Sequence, residues 1–372
     1  MPKVPATLLF CIAGCALHSF ALLAFSQDPN IKACKGDDWP KAIVACSALI
    51  QSVPKTDPEL PTFLQLRGLA YWSLGRSRDA IQDFTDAIKL APDRAGFYIG
   101  RGAAYADLAD YFSAFADLDR AIELNPDSAN AYYYRGLAHA NHGNNKLAIA
   151  DYTEAIRLKP DFATAYNDRG GAYHHLGNNE AAIADASEAI KIQPSYYQAW
   201  MNRGTLYFYT CQYEKAIADF TQSAKLQPKY IGVYLNRGSA YAEIRKYDLA
   251  IQDFNTAIEL NPPYAKAYLD RGTAYSHLRR YEQAISDYSE AIRIMPEYTK
   301  SFLGRGDAHA KAGEVKEAIE DYSQAIRLDP ECAAALYGRA LARQKAGDQA
   351  GAKIDMQAAE RLDKDIAKEI AE

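Results

Sequence analysis

Eighteen charged residues are spaced so regularly that they could act as one chemical system. Arg67, Arg101, Arg135, Arg169, Arg203, Arg237, Arg271, Arg305 and Arg339 follow one another at steps of 34 residues. Asp83, Asp117, Asp151, Asp185, Asp219, Asp253, Asp287, Asp321 and Asp355 each stand 16 residues further on. A guanidinium presents a rigid fork of donors that suits a carboxylate at a partly buried contact. The pairs are therefore expected to form an ion-pair ladder, within a repeat or between neighbours. A set identical in every copy does not distinguish one ligand region from another, so the ladder reads as structural.

Other reactive side chains do not assemble into a catalytic pattern. His139, His142, His174 and His175 lie in adjacent repeats, but His139 stands where most sister repeats carry tyrosine, and no cysteine or compact carboxylate set completes metal-ligand spacing. No glycine loop of phosphate-cradling type and no nucleophilic triad order is found. The expectation is a chain with no catalytic residues, no metal and no cofactor. A net charge of −5, with lysines and arginines scattered among acids, also argues against a nucleic-acid partner, which selects for a basic face.

The elements that must position the ladder follow from the same period. Proline recurs from Pro58 to Pro330 in steps of 34 without an insertion. In residues 231–264, apolar and small residues fall at Tyr234, Gly238, Tyr241 and Ile244, then at Tyr247, Ala250, Ile251, Phe254 and Ile258. These are helical spacings. The short stretch between the two runs is a turn, marked in sister repeats by Gly177 or Gly313. Asn261-Pro262 ends the second helix because proline removes a donor and restricts the residue before it. Small residues such as Gly238 and Ala250 let two helices approach, and one such hairpin cannot bury its face without neighbours.

The period, an aromatic four places before the glycine (Tyr132, Tyr166, Trp200, Tyr234, Tyr268), tyrosine three after it, alanine twelve after it, an aromatic sixteen after it and the closing proline resemble the tetratricopeptide repeat. The resemblance covers residues 61 to about 362 and departs from the family in one respect: arginine stands where leucine commonly precedes the glycine. It implies an all-α fold, an α-solenoid superhelix of antiparallel helix-turn-helix hairpins. Nine repeats are expected at 61–94, 95–128, 129–162, 163–196, 197–230, 231–264, 265–298, 299–332 and 333–362.

The ends differ in composition. Residues 1–26 hold one lysine, no acid and a long apolar run ending in Ala-Phe-Ser, which reads as a secretory signal peptide cut before Gln27. An alternative is lipidation at Cys15 within Ile-Ala-Gly-Cys; a third is a retained anchor, although the span only approaches the ~20 residues a bilayer requires. Export would leave Cys34, Cys46, Cys211 and Cys332 where disulfides persist. Cys34 and Cys46 flank a glycine turn and the start of a helix, so a disulfide is expected to staple a divergent capping hairpin over residues 27–60. Cys211 and Cys332 are expected to be free buried thiols. Residues 363–372 form a charged C-terminal cap, after Lys353 and Glu360 have replaced the isoleucine of other repeats.

In the resembled family, first helices line a concave groove that binds protein segments. Carried onto this chain, the groove positions include Tyr133, Met201, Phe208 and Tyr209 as aromatic or methionine anchors, with Asn141, Asn167, His174, Glu243 and His277 as polar neighbours. The basic clamp by which one branch of the family grips carboxylates is missing, although Lys266 and Lys300 could attract an acidic segment. The resemblance implies a periplasmic or secreted scaffold of a Gram-negative bacterium, with protein or peptide partners and no membrane contact after cleavage. Its alternative is an envelope-assembly lipoprotein of pilotin type anchored through Cys15.

Overall fold

The structure, a computed structural model, describes residues 29–363 together with 365 and 366. The proposed leader, Cys15 and most of the charged tail lie outside the described residues. The helices fall into two compact units, Met1–Gln193 and Pro194–Glu372, and no strand occurs among the described residues. In the first unit a short hairpin of α1 (Pro29–Cys34) and α2 (Trp39–Ser52) precedes α3 (Leu60–Ser73) with α4 (Ser77–Leu90), α5 (Ala95–Asp107) with α6 (Tyr111–Leu124), α7 (Ala129–Asn141) with α8 (Asn145–Leu158), and α9 (Ala163–His175) with α10 (Asn179–Ile192). The second unit pairs α11 (Tyr197–Tyr209) with α12 (Tyr213–Leu226), α13 (Ile231–Glu243) with α14 (Tyr247–Leu260), α15 (Ala265–His277) with α16 (Tyr281–Ile294), α17 (Thr299–Ala312) with α18 (Val315–Leu328), and α19 (Ala333–Lys345) with α20 (Gln349–Leu362). Each pair is an α-solenoid hairpin, and within a unit each second helix also packs on the first helix of the next hairpin.

In six of the nine repeat hairpins an aromatic on the second helix fills the space between the pair. Phe84, Tyr152, Phe220, Phe254, Tyr288 and Tyr322 are all buried, as are the alanines one turn earlier such as Ala250 and Ala284. Gly238 exists to admit this ring: a Cβ there would lie 2.6 Å from Phe254 Cε1. Gly238→Ala should therefore cost about 1–3 kcal/mol through overpacking, checked as a lowered denaturation midpoint with unchanged helicity.

The turns share a conformation that the sequence disguises. Gly75, Gly143, Gly177, Gly313 and Gly347 hold φ between 80 and 88°, and the equivalent Ala109, Cys211, Arg245 and Arg279 hold φ between 57 and 60°. Only glycine adopts this left-handed region without a steric cost of roughly 1–2 kcal/mol. Arg245→Gly and Arg279→Gly should each raise stability by up to about 1 kcal/mol, part of the relief being offset by the freer unfolded chain. A melting temperature below wild type for both would contradict this.

At the N-terminal end a disulfide joins Cys34 to Cys46, with Cα atoms 4.9 Å apart, inside a core of Leu49 and Phe63. At the other end Lys353 and Glu360 face solvent, while Ile366 is buried against Leu336 and Ala359.

Candidate functional site

The ladder arginines each make one bidentate contact. In all nine copies Nε and Nη2 donate to the two oxygens of the aspartate of the same hairpin, at 2.6–2.9 Å. The third donor leaves the hairpin. Nη1 of Arg101, Arg135, Arg169, Arg237, Arg271, Arg305 and Arg339 reaches a side-chain oxygen 16 residues earlier, on the second helix of the preceding hairpin, at 2.6–3.1 Å. Arg67 reaches Ser47 on α2 in the same way. Most of these guanidiniums also sit 5.1–5.8 Å from the ring four places before the glycine, as Arg203 does over Trp200 and Arg237 over Tyr234. Hydrogen bonding to aspartate pushes Arg237 and Arg271 further up, whereas burial pushes Asp83 and Asp287 above the usual carboxylate value despite their partners. Desolvation of the acid thus offsets part of what each pair contributes.

The residues expected on the inner face divide by position. Those three places before the glycine are core: Tyr133, Asn167 and Met201 are 3%, 6% and 9% exposed, as are Leu235 and Leu269 at under 10%. This corrects the reading of Tyr133 and Met201 as exposed anchors. The Tyr133 ring packs within its own hairpin against Tyr152 at 5.8 Å and against Phe162, at the start of the next hairpin, at 4.9 Å. Met201 packs with Phe220 and Val233. The residues five places after the glycine stand out instead: Asn141, Tyr209, Glu243 and His277 are exposed, and Tyr209 is 63% so. His174 and Phe208, one place earlier, are half-buried.

Local contacts orient these side chains. His174 Nδ1 lies 2.7 Å from Asn179 Oδ1, and His277 stacks on Tyr247 at 4.7 Å with burial pulling its pKa down. Phe208 meets Tyr209 and Tyr213 edge-on at 6.2 and 5.5 Å. Tyr213 is pushed up to about 12 by Cys211 and Glu243 beside it. Cys211 is exposed and Cys332 partly so, which corrects the expectation of buried thiols: Cys211 occupies the left-handed turn position between α11 and α12. Lys266 corrects another, because its Nζ is 2.6 Å from Asp270 Oδ2 and is committed to its own helix. His139 stacks on Phe115 at 4.3 Å and burial lowers its pKa. No group of three or more metal-ligating side chains occurs among the described residues.

Sequence reasoning passed over the residues two places before the glycine. In the first unit these include Tyr134 on α7 and Asp168 on α9. Asp168 accepts from the Tyr133 hydroxyl at 2.8 Å and from Asn167 Nδ2 at 3.0 Å, and burial raises its pKa. Trp72 Nε1 donates to Asp107 Oδ2 at 2.7 Å, and the Trp72 and Tyr134 rings meet edge-on at 5.7 Å. Tyr134 is pushed up to about 12 by burial and by the Asp107 charge. The available signal was variation: this position reads Gly100, Tyr134, Asp168, Asn202, Asn236, Asp270 and Gly304 in successive copies.

Family models described as TPR or tetratricopeptide repeat match residues 61–94, 110–143, 135–197, 197–230, 232–264, 265–298 and 306–347, well over half of the chain. No curated protein matches the chain in sequence. Among solved structures, the APC/C hetero-tetramer Cut9-Hcn1 is similar at 19% identity and TM-score 0.56, over 77% of this chain and 58% of that one. The C-terminal part of a TPR repeat-containing protein from Cytophaga hutchinsonii is similar at 21% identity and TM-score 0.51, over 64% and 97%. Pseudomonas aeruginosa pilF gives 21% and 0.51, over 58% and 97%. The chain therefore spans less than two thirds of the Cut9-Hcn1 chain it matches. At these identities the likeness is one of fold.

Proposed function

From the premise that the chain belongs to the tetratricopeptide repeat family, we infer that it is a protein–protein interaction scaffold whose first-helix faces bind segments of partner proteins. One observation carries this reading: side chains that do not repeat, Asn141, Tyr209, Glu243 and His277, are exposed on helices whose repeating residues are spent on packing and on the ladder. An aromatic left 63% exposed at Tyr209 beside Phe208 and Tyr213 is the kind of surface that anchors a partner. Cut9, a protein of similar fold, is found in a hetero-tetramer with Hcn1, which agrees with a scaffold role.

A pull-down comparing wild type with Phe208→Ala/Tyr209→Ala tests the reading. A partner retained by wild type and lost by the variant, with melting temperatures equal, is expected; equal recovery of every partner removes it.

We place the scaffold outside the cytoplasm, periplasmic or secreted. The Cys34–Cys46 disulfide supports this, since such cross-links persist in oxidising compartments. No helix among the described residues is long and apolar enough to cross a membrane. Intact mass of the mature protein decides the mode of export: a chain beginning at Gln27 fits a released scaffold, and a lipidated Cys15 would replace it with the anchored envelope-assembly lipoprotein.

A further inference from the structure

We propose that the first-helix face of the first unit binds an extended peptide segment carrying lysine or arginine, seated along Trp72, Asp107, Tyr134 and Asp168. The inference rests on the scaffold reading and specifies the chemistry of its partner.

The charge on this face is one-sided. Helices α3, α5, α7 and α9 carry four cationic residues besides histidine, and all four, Arg67, Arg101, Arg135 and Arg169, are bound bidentate by aspartates of the second helices. Their only acids are Asp107 and Asp168. Arg94 lies just before α5, where it hydrogen-bonds Thr62 on α3, twelve or more residues from Asp107 and thus about 18 Å along the helix. In the second unit the first helices carry both signs: Lys300 and Lys311 stand with Glu243 and Asp307, and Lys266 is paired with Asp270. Outside the ladder, the charge on the first unit's face is thus all acidic, which favours a cationic segment there.

The surroundings of the two carboxylates suit a cation. Asp107 is exposed at the end of α5, between the Trp72 indole and the Tyr134 ring. Asp168 is half-buried, and its hydrogen bonds come from neutral donors, the Tyr133 hydroxyl and the Asn167 amide. Tyr133, itself buried, meets Tyr134 edge-on at 5.2 Å and donates to Asp168, so this buried ring fixes the two ends of the seat relative to each other. A carboxylate beside aromatic faces attracts an ammonium or guanidinium by both ion pairing and cation–π contact. One turn before Asp168 on the same side of α9, Thr164 is 8% exposed and its hydroxyl has no hydrogen-bond partner among the described residues. That unpartnered hydroxyl lies buried beneath the Asp168 side of the face.

The test uses the full chain and two labelled ten-residue peptides, one alternating lysine with alanine and one alternating glutamate with alanine, followed by fluorescence anisotropy. The lysine peptide is expected to bind, more weakly as salt rises, and the glutamate peptide not to. Asp168→Asn, which keeps an acceptor for Tyr133, should weaken binding about tenfold, the scale of a charge-assisted hydrogen bond. Asp107→Asn should weaken it about threefold, as suits a more exposed ion pair, and Glu180→Gln on α10 should leave it unchanged. Equal melting temperatures exclude unfolding as the cause. Binding of both peptides alike, or wild-type affinity in the two aspartate variants, overturns the proposal. Aspartate-dependent self-association without peptide binding overturns it as well, assigning the face to a second copy. If neither peptide binds while Phe208→Ala/Tyr209→Ala still loses a partner, this inference falls and the scaffold reading stands.

Discussion

Asp253→Ala is expected to lower stability by about 3–5 kcal/mol, the cost of leaving a buried charge without its partner. Asp253 is 5% exposed and takes both parallel bonds of Arg237, whose guanidinium is itself mostly shielded from solvent. Arg237→Leu should cost about 2–4 kcal/mol by the same logic, since a buried carboxylate remains. The double variant Arg237→Leu/Asp253→Ala should lose clearly less than the sum, because neither charge is then stranded. Urea unfolding of the four species forms the test cycle. Additive losses would mean that the pair is not coupled; a pair that binds partners rather than holding helices would leave the unfolding midpoints alone. Burial pushes Asp83 and Asp287 up, in keeping with a net gain from such a pair that is smaller than the loss from breaking it.

The second large effect separates core from surface. Tyr133→Ala should cost about 3–5 kcal/mol, as removal of a buried ring does, because Tyr133 packs between Tyr152 and Phe162 and its hydroxyl holds Asp168. Tyr209→Ala, at a side chain 63% exposed, should stay within about 0.5 kcal/mol of wild type. Thermal unfolding of both variants checks the contrast. Similar Tm values for the two would return Tyr133 to the surface, where its spacing alone first placed it.

That contrast also marks how far the sequence could be read. Helix pairing, turn positions and Arg–Asp partnering were legible because each is imposed nine times, and a requirement repeated at every copy leaves a periodic trace. Which nonrepeating side chains reach solvent was not. Tyr133 and Tyr209 both fall at groove positions by spacing, but Tyr133 packs on Tyr152 of its own hairpin and on Phe162 at the start of the next, while Tyr209 is left exposed. Cys211 was misjudged for a similar reason: four of the nine turns carry a side chain in a left-handed position that glycine fills elsewhere, so the residue type there says little about burial. Asp168 went unnoticed because an aspartate beside an Arg-Gly pair looks like a solvated charge until Tyr133 and Asn167 are seen against it.

The third arginine donor, which crosses to the preceding hairpin, bears on how the protein comes apart. Within each unit the same link recurs at successive interfaces, so the coupling between nearest neighbours is nearly uniform along that unit. A one-dimensional chain with uniform coupling melts cooperatively over a length set by that coupling. Weakening one link would act as a domain wall. With Thr221 changed to valine, which removes the acceptor for Arg237, hydrogen exchange in the hairpins after that point should become independent of exchange in those before it, although no charge has been altered.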